Sequence, residues 1–256
     1  MTDSSTTDSL WCRRFHPADD APARLVCFPH AGGSASYFLP VSAALSPAVD
    51  VLAVQYPGRQ DRRAEPCIED IGTLADEAFR ALVAWADRPL TFFGHSMGAI
   101  MAFEVARRFA REGMDAPVHL FASGRRAPSV HRDENVHQRG DDEILAEMVS
   151  LGGTDARLLA DEELVRMVLP SIRADYKAVE RYRCEPGAVL SCPVTALTGD
   201  ADPRTSIEDA RAWAAHTTAG FELRVFEGGH FFLTSRATEV IEALREHFAT
   251  TPAQSH

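Results

Sequence analysis

A mostly parallel α/β fold is the architecture this sequence predicts. Short, uninterrupted apolar runs recur along the chain, and stretches with helical apolar spacing alternate with them. Strands covered on both faces lose the polar alternation of a half-exposed sheet, and strand–helix alternation joins parallel neighbours through right-handed crossovers. Size supports the same answer. A chain of 256 residues, 45% hydrophobic and 25% charged, can bury a substantial core without disulfide or metal staples. Residues 1–256 therefore read as a single domain.

The predicted strands are Arg24–Phe28, Val51–Val54, Leu90–Phe93, Val118–Ala122, Val194–Leu197 and Phe221–Phe226. Helices are predicted over Ile71–Trp85, Ala99–Phe109 and Thr238–Phe248. Their apolar faces are Leu74, Ala78, Leu82; Ala99, Phe103, Ala106; and Val240, Ile241, Leu244. From about residue 130 to 186 the rhythm breaks. Only amphipathic helical patterns appear there, around Ile144, Met148 and Leu151, around Leu164, Met167 and Val168, and around Ile172, Tyr176 and Val179. Gly152, Gly153 and Pro170 punctuate them. A helical insertion of that length between two strands lies outside the sheet and is expected to form a lid. The terminal stretch Thr250–His256 is expected to fray.

Charge and cysteines narrow the function classes. Lys and Arg total 26 against 37 Asp and Glu, a formal charge of -11, which disfavours binding to nucleic acid or anionic membrane. The five cysteines, Cys12, Cys27, Cys67, Cys184 and Cys192, are odd in number, widely spaced and without a C-x-x-C pattern. That argues against a disulfide framework or a zinc site and fits a reducing cytoplasm. Residues 1–10 lack the basic and apolar regions of a secretory signal. No apolar run approaches the roughly 18 residues of a membrane span.

The sharpest chemical signal is Gly94-His95-Ser96-Met97-Gly98, set between a predicted strand and a predicted helix. A turn that tight needs glycine on both sides of the serine and lifts the hydroxyl above the sheet edge. Serine is a poor nucleophile near neutral pH, so it needs a base, and the base needs an orienting carboxylate. On the α/β-hydrolase fold these follow in the order serine, acid, histidine. His230, after Gly228-Gly229 and the last predicted strand, is the expected base. His216, His247 and His256 lie on predicted helices or the tail and are poorer choices. For the acid, Gly199-Asp200-Ala201-Asp202-Pro203 offers two aspartates. Asp202 is favoured, and Asp200 is the alternative, with turn closure as its other role. Oxyanion donors are expected from the Met97 amide and from the loop Phe28–Ser34, where Ala31 is favoured and His30 has a positioning role.

Together with Phe28–Gly33, Gln55–Arg59, Gly124–Pro128 and Leu169–Tyr176, these motifs resemble the external, type II thioesterases of polyketide and non-ribosomal peptide synthases. The likeness runs in register from about Val26 to Phe248. It implies an α/β-hydrolase fold with a helical lid, a catalytic Ser96, Asp202 and His230, and hydrolysis of acyl groups from the phosphopantetheine thiol of carrier proteins. Carrier proteins are acidic as a class, so a local cationic docking patch is expected; Arg59, Arg62, Arg63, Arg125 and Arg126 are the candidates. No G-x-G-x-x-G, Walker A or H-E-x-x-H pattern occurs, so no nucleotide or metal cofactor is expected. The default assembly is a monomer. The competing readings are a general carboxylesterase acting on small oxygen esters and an inactive hydrolase-fold binding protein.

Overall fold

The computed structural model describes residues 10–114, 117–153 and 161–250. Residues 1–9 and residues 251–256, nearly all of the stretch expected to fray, lie outside that range. Seven strands form one sheet: β1 (Cys12–Arg13), β2 (Arg24–Phe28), β3 (Asp50–Val54), β4 (Leu90–His95), β5 (His119–Ser123), β6 (Val194–Gly199) and β7 (Phe221–Phe226). Their order across the sheet is β1-β3-β2-β4-β5-β6-β7. All pairs are parallel except β1 with β3.

The helices are α1 (Leu39–Leu45), α2 (Ile71–Val83), α3 (Met97–Arg111), α4 (Asp141–Ser150), α5 (Glu162–Arg181), α6 (Ile207–Arg211), α7 (Phe232–Ser235) and α8 (Ala237–Thr250). Alternate residues of the inner strands feed two cores. Val26, Phe28, Leu52 and Phe92 pack with α2 and α3 on one face. Leu25, Cys27, Val51 and Phe93 pack with Val240 and Leu244 of α8 on the other. This double coverage is why these strands read as unbroken apolar runs. The outer strand β7 departs from that pattern: Glu222 and Val225 are exposed because no further strand pairs beyond it.

The insertion between β5 and β6 contains α4 and α5, with no strand among its described residues. It carries a small core of its own, Val136, Ile144, Leu145, Leu169 and Ile172. Pro170 does not end a helix, as its position suggested. It sits inside α5, a helix of 20 residues that continues past it to Arg181. Its ring lies on the solvent side, where water can serve the carbonyl that loses a helical partner. Among the described residues, no helix is long and apolar enough to cross a membrane. No disulfide joins the five cysteines among the described residues.

Parallel strands place their carboxyl ends along a single edge, where ligands of such sheets bind. The loops after β2, β4, β6 and β7 therefore meet there, carrying His30 and Ala31, Ser96, Asp202, and His230 respectively.

Candidate active site

Ser96 occupies the one-residue turn between β4 and α3, at φ 55° and ψ −118°. That backbone is strained for any residue with a Cβ, and close packing holds it in place. A Cβ on Gly98 would lie 1.9 Å from the Phe28 carbonyl oxygen, and one on Gly94 would lie 2.0 Å from the Gly98 carbonyl oxygen. Backbone, which cannot swing aside, fills both spaces. Gly98→Ala is expected to destabilise the protein by about 1–3 kcal/mol and to cut kcat/KM about 100-fold by displacing the turn. Thermal melting and steady-state kinetics would check both; a variant of wild-type activity would contradict this account of the turn.

The three groups singled out in the sequence meet at this edge. Asp202 Oδ2 lies 2.9 Å from His230 Nδ1, and His230 Nε2 lies 3.1 Å from Ser96 Oγ. The Asp202 side chain is fully buried, and His230 is nearly so. An acceptor-only carboxylate at Nδ1 requires the N–H there, which leaves Nε2 to accept from the serine hydroxyl. The second Asp202 oxygen accepts from the Arg204 amide at 2.8 Å, which fixes the carboxylate's rotation. Asp200 has the other role open to it: Oδ1 accepts from the Gly228 amide at 2.9 Å and closes the loop leading to His230. His216 bonds the Ala188 carbonyl and Ser129, while His247 bonds Thr91.

A pocket opens over Ser96 and His230, walled by Ala31, Met148, Leu151, Tyr176, Val179 and Phe231, with Arg125 among them. Met148 and Leu151 come from α4 and its end, and Tyr176 and Val179 from α5, so the insertion roofs the serine. His30 is wedged edge-on between Tyr37 and Phe231. Burial, aided by the charges of His230 and Arg59, pushes its pKa down to about 3. It is therefore neutral and a poor proton acceptor at neutral pH. Burial likewise holds His95 well below the usual imidazole range.

The loop after β2 is braced from above. Asp175 of α5 accepts from the Gly32 amide at 2.7 Å through Oδ2, and Arg59 donates to both of its oxygens, at 2.9 Å for the Nη2–Oδ1 contact. Both side chains are buried, Asp175 completely. The Gly33 amide is taken by the His30 carbonyl. Ala31 lines the pocket beside this stretch, and Met97 opens α3 directly after Ser96, where the first amides of a helix have no partner within it.

This arrangement corrects the expected docking patch. Arg59 is committed to Asp175. Arg62 is buried, stacked on Trp11 and bonded to the Gln55 carbonyl and Glu65. Arg126 is buried and paired with Glu134. An arginine already desolvated by its own protein has no surface to offer a partner. Arg125 faces the pocket, and Arg63 is the member of the five that is exposed. The Arg59–Asp175 brace was not foreseen, although its signal was present. Asp175 lies three residues after Ile172 and four before Val179, a charge within an apolar helical face that must find a partner.

Known proteins resemble this chain in sequence and overall fold. A family model described as "Thioesterase domain" matches residues 23–248. Thioesterase PikA5 of Streptomyces venezuelae is 49% identical, over 98% of this chain and 90% of its own length. The type II thioesterase BorB from the borrelidin biosynthetic cluster superposes with a TM-score of 0.88 at 50% identity, covering 93% of this chain and 98% of BorB. YbtT, a type II thioesterase from the yersiniabactin NRPS/PKS pathway, does so at 0.85 and 32% identity, covering 96% of this chain and all of YbtT (100%). With its serine at the strand–helix turn and a helical roof above it, the chain belongs to the thioesterase family, as a type II thioesterase of α/β-hydrolase fold.

Proposed function

We propose that this chain is an editing hydrolase that releases acyl groups from the phosphopantetheine thiol of acyl or peptidyl carrier proteins. It clears stalled, decarboxylated or wrongly primed chains during polyketide or non-ribosomal peptide assembly. The observation that carries the reading is the line Asp202–His230–Ser96 lying beneath a helical roof. The biosynthetic settings printed for BorB and YbtT support the substrate class.

In this mechanism Ser96 Oγ attacks the thioester carbonyl carbon while His230 Nε2 takes the hydroxyl proton. Asp202 holds the imidazole in the required tautomer and stabilises the cation that forms. The Met97 and Ala31 amides receive the oxyanion, and losing either donor costs about 3 kcal/mol of transition-state stabilisation. The carbon–sulfur bond then breaks, and His230 returns its proton to the leaving thiolate. A water loses a proton to His230 and attacks the acyl-serine. The ester bond breaks, Ser96 regains its proton, and the free acid departs.

The enzyme acts as a monomer in this reading. Of the expected docking arginines, Arg63 is exposed, and in this reading it meets the acidic carrier. The alternative is a general carboxylesterase using the same groups. Comparing kcat/KM for an acyl-loaded carrier protein with that for a matched oxygen ester decides between them. A preference of tenfold or more for the carrier thioester is expected. Equal rates, or a preference for the ester, would overturn the carrier reading.

A further inference from the structure

Arg125 stands apart from the other arginines around the site. It follows the turn at the end of β5, and its carbonyl accepts from the Trp213 indole at 2.8 Å, which fixes its backbone. Its neighbour Arg126 donates to Glu134 at 3.1 Å, and Arg204 reaches the same Glu134 oxygen at 3.0 Å. Two arginines thus already use the nearby carboxylate. Among the described residues, the Arg125 guanidinium has no hydrogen-bonding partner, and its Nε is buried and unsatisfied. With burial and the charges of Arg126 and Arg204 acting on it, its pKa is lowered to about 10. It therefore keeps its charge at neutral pH.

Its placement shows where a partner would come from. Arg125 and Val179 line both the pocket over Ser96 and the adjoining cleft between the loop 126–132 and the end of α5. Met148, Leu151 and Val179 give the pocket an apolar wall, and Tyr176, whose phenol acts electrostatically on Arg125, also lines it without a hydrogen bond to the guanidinium among the described residues. Burying a guanidinium without a counter-charge is costly, and carboxylate or carbonyl oxygens relieve that cost through charge-assisted hydrogen bonds. A plain alkanoyl chain could fill the apolar wall but would leave this cation unmet.

We propose that Arg125 is a specificity residue whose guanidinium binds an oxygen carried by the acyl group itself, a carboxylate or keto oxygen beyond the thioester. This deepens the carrier-thioesterase reading and rests on it. Acyl groups with such an oxygen are selected over alkanoyl groups of the same length, because only they complete the hydrogen bonding of the pocket wall.

The test uses one carrier protein loaded with butanoyl, 3-oxobutanoyl or succinyl groups, and the wild type, Arg125→Met and Arg125→Lys. In Arg125→Met, the loss in kcat/KM on the succinyl and 3-oxobutanoyl thioesters is expected to exceed the loss on butanoyl by tenfold or more. Arg125→Lys, which retains the charge, should recover part of the succinyl rate. A loss equal across all three thioesters would overturn the proposal, since it would assign Arg125 to the fold or to the arm common to every substrate. No loss would overturn it as well. Should Arg125→Met fail to fold, the succinyl-to-butanoyl ratio in Arg125→Lys decides: a shifted ratio supports the proposal and an unshifted one refutes it. A wild type that releases none of the three refutes the carrier reading and this proposal with it. A wild type that releases butanoyl, with uniform variant effects, refutes this proposal alone.

Discussion

Ser96→Ala is expected to lower kcat/KM on acyl-carrier substrate by about 10⁴-fold or more, with the melting temperature nearly unchanged. Removing the nucleophile of such a relay leaves only the catalysis supplied by oxyanion donors and binding. The fold should tolerate the change, because alanine keeps the Cβ that the turn already accommodates at φ 55° and loses a hydroxyl bonded to His230 alone among the described residues. The same variant should lose covalent labelling by a serine-directed fluorophosphonate. Residual activity above about one-hundredth of wild type would show that hydrolysis does not pass through this serine. Intact-protein mass spectrometry of the carrier gives the first readout and in-gel fluorescence the second.

Asp175→Ala is expected to have the largest effect of any change outside the relay. It strands the Arg59 guanidinium in the interior and releases the Gly32 amide. Breaking a buried pair from one side costs about 3–5 kcal/mol, which for a chain of this size lowers the melting temperature by roughly 10 °C. The loss in turnover should fall on kcat more than KM, because the loop beside Ala31 moves where charge develops. Stability and geometry can be separated. Replacing both partners, Arg59→Met with Asp175→Leu, should restore much of the lost stability, since no orphaned charge remains. It should not restore kcat, since Gly32 still lacks its acceptor. Recovery of both together would show that the brace matters only to folding.

How much of this was legible from the residues follows from what each element answers to. Strands β2–β6 stand out because two apolar layers press on them, so burial is written into every position. β1 is only two residues long, and no periodicity can mark it; it is held by pairing with β3. The short helix α1 owes its place to packing on α8, where Leu45 meets Val240 and Leu244 in one core and Arg245 donates to the Ala44 carbonyl, a contact between distant segments. Ser96, His230 and the aspartate loop were readable because each is flagged locally by glycine or proline and by a position after a strand. Arg59, Arg62 and Arg126 do not serve as docking residues for the opposite reason. Whether a guanidinium meets solvent or a carboxylate some 116 positions away, as Arg59 meets Asp175, is settled by tertiary packing that no local window contains.

The Asp175 brace makes roof and loop thermodynamic partners, because a single side chain belongs to both. Linkage is reciprocal: whatever favours one arrangement of the loop favours the matching arrangement of the roof by an equal factor. A tetrahedral mimic gripped by the Ala31 and Met97 amides would therefore slow the escape of a chain lodged beneath α4 and α5. A well-fitting chain would in turn sharpen the grip on the mimic. Selectivity for the cargo and power over the reacting carbon would then be adjusted by evolution as a single quantity.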